Sequence, residues 1–166
     1  DATARLWDAA SGKVATMLEG HGLTVRAVRF DHDGTRIITG SDDATARLWD
    51  AATGKPLMTL SGHGGPVWAV AFSPDGRFAA TGSDDHMLRV WDLATGQVKT
   101  TFKGHSRVVM TIAYSPDGKR LLTGSDDDTA RIWDAATGRQ LMVLKGHVDT
   151  VRSAAFAPNG MHIVTA

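Results

Sequence analysis

Histidine, threonine and aspartate recur together along this chain at offsets that could do chemistry. His63, Thr81 and Asp85 bring an imidazole, a hydroxyl and a carboxylate. These are the parts of an acyl-transfer triad, in which a base takes the nucleophile's proton and an acid orients the base. The same set stands at His21, Thr39 and Asp43, and again at His105, Thr123 and Asp127, each 42 residues from the next. A fourth set is divided, with His147 and Thr165 near one end and Asp1 at the other. A tryptophan lies six residues beyond each aspartate, at Trp7, Trp49, Trp91 and Trp133. A catalytic constellation is assembled around one reacting bond. A set repeated in every period points to scaffold.

The elements that hold these residues repeat with the same period. Gly-His occurs at Gly20-His21, Gly62-His63, Gly104-His105 and Gly146-His147. Between them recur Asp33-Gly34, Asp75-Gly76, Asp117-Gly118 and Asn159-Gly160. A further turn ends in Gly12, Gly54, Gly96 and Gly138. One period predicts four strands. Val67 to Phe72 is an alternating run, and Ser73-Pro74-Asp75-Gly76 turns it, since proline fixes φ and glycine accepts a positive one. Arg77 to Thr81 follows, then a turn at Gly82-Ser83-Asp84-Asp85, then Leu88 to Trp91 and Val98 to Phe102. A lone four-stranded sheet cannot cover both faces, so the repeats must pack on one another.

Gly-His, Ser-Pro-Asp-Gly, Gly-Ser-Asp-Asp and Trp-Asp together resemble the WD-repeat family, over the whole chain. The resemblance implies an all-β propeller of four-stranded antiparallel blades around a central channel. Departures are small: Asp31-His32 replaces Ser-Pro in one turn, and Ala157-Pro158-Asn159 and Ala166 loosen the last repeat. The resemblance also implies that the recurring residues form a hydrogen-bond network inside each blade. Asp accepts from His, His engages the Thr hydroxyl, and Thr meets the Trp indole N–H. Such a network satisfies groups whose burial unpaired would cost about 1–3 kcal/mol each.

The period is divided at the ends. Four periods of 42 would make 168 residues, against 166. Residues 1–19 supply strands three and four of a split blade and 146–166 supply strands one and two, flanking full repeats at 20–61, 62–103 and 104–145. Bare edges invite pairing. Closing four blades on themselves would need wedges of about 90°, whereas eight blades need about 45°, near the family's usual geometry. The expectation is one half-ring domain, two copies of which close head to tail into an eight-bladed homodimer by strand exchange. Self-closure, and a piece of a longer propeller, are the other possibilities.

In near-identical repeats the differences are informative. Arg26, Trp68, Met110 and Arg152 share one register position, and Asp42, Asp84 and Asp126 another. By the resemblance both sets open onto the top face at the channel mouth. They are the expected partner-binding residues, with Trp68 foremost because Trp and Arg dominate binding hot spots. Two other readings stand: Trp68 and Met110 fill gaps between blades, and the aspartates are turn formers. Arg5, Arg47, Arg89 and Arg131 recur, so they read as scaffold or solvated face. His32, His86 and His162 do not recur and have no second ligand nearby, so no metal is expected.

Composition narrows the function. Lys+Arg and Asp+Glu are both 18, for a net charge of zero, whereas a nucleic-acid binder usually carries a basic excess. No run approaches the roughly 18 apolar residues of a membrane helix. Cysteine is absent, which suits a reducing compartment and points to the cytoplasm. The expected function is a protein-interaction scaffold for a protein or peptide, with no cofactor, no nucleic acid, no membrane and no enzymatic activity. The alternatives are a structural or designed ring without a ligand, and a sensor propeller cut from a larger bacterial signalling protein.

Overall fold

The computed structural model describes residues 1–166, and all of its regular structure is strand. Two strands open the chain as one sheet, β1 (Thr3–Trp7) with β2 (Val14–Glu19). Three four-stranded sheets follow. The first holds β3 (Val25–Phe30), β4 (Arg36–Ser41), β5 (Thr45–Asp50) and β6 (Pro56–Ser61). The second holds β7 (Val67–Phe72), β8 (Phe78–Ser83), β9 (Leu88–Asp92) and β10 (Val98–Phe102). The third holds β11 (Val109–Tyr114), β12 (Arg120–Ser125), β13 (Ala130–Asp134) and β14 (Gln140–Leu144). A last two-stranded sheet pairs β15 (Ala154–Phe156) with β16 (Ile163–Thr165). Every pairing is between neighbours in sequence and antiparallel. We call the four-stranded sheets blades one to three and the two-stranded ones half-blades. In the single chain the half-blades stay separate sheets, so the chain does not close on itself.

The second strand differs from the sequence expectation at both ends. It starts at Phe78, not Arg77, because Gly76 turns at φ +65° and the Ser73 amide reaches across to the Phe78 carbonyl. It also runs on through Gly82 and Ser83, which read as turn residues in isolation. Gly82 is in the strand because it pairs with Ala69 and Leu88 on either side, and blade three presses on it there. A Cβ there would lie 2.6 Å from Val109 Cγ1 and 3.0 Å from Ile112 Cδ1. Only glycine lets the blades approach this closely.

The core lies between blades. One cluster joins Ile38, Leu48 and Leu60 of blade one to Val67, Val70 and Trp91 of blade two. The next joins Val90 and Phe102 of blade two to Val109, Ile112 and Trp133 of blade three. Each blade thus buries its apolar faces against its neighbours, and the tryptophans reach across the junction. Alternating in/out residues on short strands suit this two-sided burial.

The junctions differ at one register position on their outer side. At the junction of blades one and two, Arg36 Nη2 donates to the Gly76 carbonyl at 2.7 Å, and its guanidinium stands 5.5 Å from the Phe72 ring centre. At the junction of blade three with the last half-blade, Arg120 does the same to Gly160 at 2.9 Å, 5.2 Å from Phe156. Phe78 takes that register position between blades two and three, and it has no donor. A cavity of about 240 Å³ remains there, lined by Phe78, Lys99, Tyr114 and Gly118.

Candidate partner-binding site

Within each complete blade the turn after the second strand sets the aspartate, and the strands set the rest. His21 Nδ1 lies 2.8 Å from Asp43, His63 Nδ1 2.9 Å from Asp85, and His105 Nδ1 2.8 Å from Asp127. The other ring nitrogen meets the threonine hydroxyl, at 2.7 Å for Thr39, 2.6 Å for Thr81 and 2.7 Å for Thr123. Trp49, Trp91 and Trp133 donate their indole N–H to those hydroxyls at 2.8, 2.8 and 2.9 Å. A consistent proton order follows: Nδ1–H donates to Asp, the Thr O–H donates to Nε2, and the Thr oxygen accepts from Trp.

Burial lowers the pKa of all three imidazoles, against the opposing pull of their aspartates. They are neutral in this geometry. Burial alone would raise the aspartates, but hydrogen bonds overcome it. Asp85, held by the Gly64 amide and His63, falls to about 2, and Asp127, held by Thr129 and His105, falls to about 2. Asp43 is lowered in the same way by Thr45, His21 and the Gly22 amide. As a triad the arrangement has no route to a substrate. Thr39, Thr81 and Thr123 are fully buried, and each hydroxyl is already engaged on both sides.

The divided set stays divided in the single chain. His147 Nε2 meets Thr165 at 2.8 Å, while Asp1 holds the Thr3 amide and hydroxyl. Trp7 is exposed, with nothing to receive its indole N–H. Of the two readings of the recurring arginines, scaffold or solvated face, Arg89 and Arg131 fit scaffold. Arg89 Nη1 reaches Asp85 at 2.6 Å, and Arg131 Nη2 lies 3.5 Å from Asp127. These contacts link residues four apart across a tight turn, and the spacing alone does not announce them.

The variable residues gather elsewhere. The first strands of the blades, β3, β7, β11 and β15, form the concave inner wall. Arg26, Trp68, Met110 and Arg152 all line one cavity there, of about 310 Å³. Arg26 is bound to Asp42 by two hydrogen bonds, 2.8 and 2.6 Å, and lies 4.6 Å above the Trp68 ring. Its hydrogen bonds to Asp42 hold that carboxyl below the usual range. Trp68 is half-buried, and its indole N–H is buried without an acceptor. Met110 is half-buried and Arg152 exposed. The three aspartates at one register position have three environments. Asp42 is paired with Arg26. Asp126 accepts from Thr150 and lies 3.4 Å from Arg107. Asp84 is exposed, its amide donating to Pro66.

Arg29 is the residue the repeat comparison passed over. It lines the same cavity, and the equivalent positions hold Ala71, Ala113 and Ala155. That contrast was available in the sequence, three positions along the strand from Arg26. No group of three or more His, Cys, Asp or Glu side chains is placed to hold a metal.

Comparison with known proteins adds one match. The family described as WD domain, G-beta repeat matches residues 12–50, 54–92, 96–134 and 138–166. No curated protein matches the chain.

Proposed function

The chain belongs to the WD-repeat family, and on that premise we propose that it is a scaffold binding a protein or peptide on the inner wall and top face, and not an enzyme. Domains of this family generally mediate protein interactions and are typically non-catalytic. One observation carries the reading. Residues that vary among otherwise repeating blades, Arg26, Trp68, Met110 and Arg152, converge on a single cavity, while the repeated residues turn inward to hold the blades. Trp68 supplies a half-exposed aromatic face, the kind of group that anchors an interface. Among the aspartates, Asp84 is the one free to meet a partner. Asp42 and Asp126 position arginine and threonine side chains first. The buried threonines support the non-catalytic reading, since a carbonyl cannot reach them.

The test is a selection of binding peptides from a random display library, followed by titration of the selected sequences against Trp68→Ala. Binding should weaken by about tenfold or more, the effect of losing a hot-spot aromatic. Selected peptides that bind both proteins equally would remove the inner wall from consideration.

We further propose that the chain acts as one half-ring domain and that two copies close a ring of eight blades. The support is complementarity. The β1 edge and β3 enclose an open cavity of about 330 Å³ where a complete blade has its first two strands. Asp1 and Trp7 stand on one half-blade, His147 and Thr165 on the other. Light scattering should give a mass near twice 17.7 kDa, stable on dilution. A monomer at all concentrations would sink the two-chain ring.

A further inference from the structure

Three arginines line the inner-wall cavity, and no carboxylate does. In a chain whose formal charge is zero this is a marked local excess. The three are not equivalent. Arg26 is neutralised by Asp42 at 2.6 Å. Arg29 has only the carbonyl of its neighbour Val28 as acceptor, at 2.8 Å. Arg152 is exposed and stands near enough to Asp126 to lower that carboxyl, though their side chains form no ion pair. Two guanidinium groups therefore line a concave wall without a carboxylate paired to either. Such a wall focuses positive potential on what enters it. A planar guanidinium binds a carboxylate through two parallel hydrogen bonds. Beside them lie the Trp68 ring, the Met110 side chain and the Thr111 and Ser153 hydroxyls, which can hold a peptide chain between its charges.

We propose that the inner wall selects an acidic peptide, with Arg29 and Arg152 pairing its carboxylates and Trp68 and Met110 packing the intervening chain. The proposal rests on the scaffold reading above and gives the partner its chemistry. Arg29 is the specificity residue. Blade one carries it where Ala71, Ala113 and Ala155 stand in the other repeats, so it is not needed to build a blade.

Arg29→Ala installs the residue that the sister repeats already tolerate, and an unchanged melting curve checks the fold. Capped hexaglutamate, hexaserine and hexalysine peptides, sodium sulfate and an oligothymidylate are each titrated by calorimetry at low salt. Hexaglutamate should bind best, and its affinity should fall as salt rises. Arg29→Ala and Arg152→Ala should each weaken it by about tenfold or more, as expected for a lost charge-assisted pair. Arg139→Ala, on an outer turn, should leave it unchanged. Equal binding of hexaglutamate by wild type and Arg29→Ala overturns the proposal. So does preference for sulfate or the oligothymidylate, which would make the site one for simple or nucleic-acid anions. If hexaserine binds as well and depends on Trp68 but not on Arg29, only the acidic preference fails. If no peptide of any charge binds, the scaffold reading of this wall fails with it.

Discussion

Blade three and the first half-blade carry the same Trp-Asp strand in opposite circumstances. Trp133 is 1% exposed, its N–H held by Thr123, its ring edge-on to Phe102 of the preceding blade. Trp7 is 56% exposed. The first strands diverge likewise: Val70 in blade two is 3% exposed, whereas Val28, its equivalent in β3, is 44% exposed where two strands of a preceding blade are lacking. The sequence motif is therefore not what buries the tryptophan. Burial comes from the second strand of the same blade together with the neighbouring blade, and the hydrogen-bond network closes only when the third strand meets the first two. A WD-type repeat is a unit of sequence whose unit of stability is the junction.

The comparison breaks most sharply at tryptophan. Trp133→Ala should cost about 3–5 kcal/mol in urea unfolding, as large aromatic truncations do. In a single chain Trp7→Ala should cost less than about 1 kcal/mol, whereas in the proposed two-chain ring it should approach the cost of Trp133→Ala. Equal costs would mean that Trp7 is buried in solution, as it would be in a ring closed by a second chain.

Acid should erode the complete blades next. The folded-state pKa of Asp85 and Asp127 is about 2, below the ordinary aspartate value of 3.8. Their contribution is present above that ordinary value and is lost as pH falls through about 2. The histidines are also lowered, from 6.5. The unfolded chain therefore binds their protons first, so stability is full above 6.5 and declines as pH falls below it. Thermal melting followed by circular dichroism from neutral pH downward should show both declines, and Asp85→Asn should flatten the lower one. A melting temperature independent of pH down to 3 would contradict the neutral-imidazole, ionised-aspartate network.

The smallest effect sharpens the role of the junction. Phe78→Arg installs the residue that ties the junctions on either side, with the Gly118 carbonyl as its acceptor. A net gain of about 0.5–1.5 kcal/mol is expected for the added hydrogen bond, read as a rise in melting temperature. Unchanged or lower stability would show that Phe78 and Lys99 already satisfy that seam.

The fold was legible because four markers recur in one register, so period and strand number did not depend on local propensity. Strand ends were less so. Gly82 looks like a turn residue until Val109 of the next blade is placed against it, and that contact is 27 residues away in sequence. At the site, comparing repeats picked out Arg26, Trp68, Met110 and Arg152, which share one wall. It passed over Arg29 although the same comparison marks it. It could not distinguish Asp42, Asp84 and Asp126, because their surroundings are made by non-repeating neighbours: Arg26 for one, Thr150 for another.

The seam between blades two and three lacks the arginine tie of its neighbours, and there the Thr100 hydroxyl donates to the Ala136 carbonyl at 3.4 Å instead. Arginine ties brace the junctions on both sides of it, while this seam is held by a buried cluster running from Val90 and Phe102 to Val109, Ile112 and Trp133. Arg26, Arg29 and Trp68 stand on one side of it, Met110 and Arg152 on the other. The packing of that seam sets the span between the Arg29 and Arg152 guanidinium groups. A partner that bridged them would read the curvature of the arc as a length between its own charges.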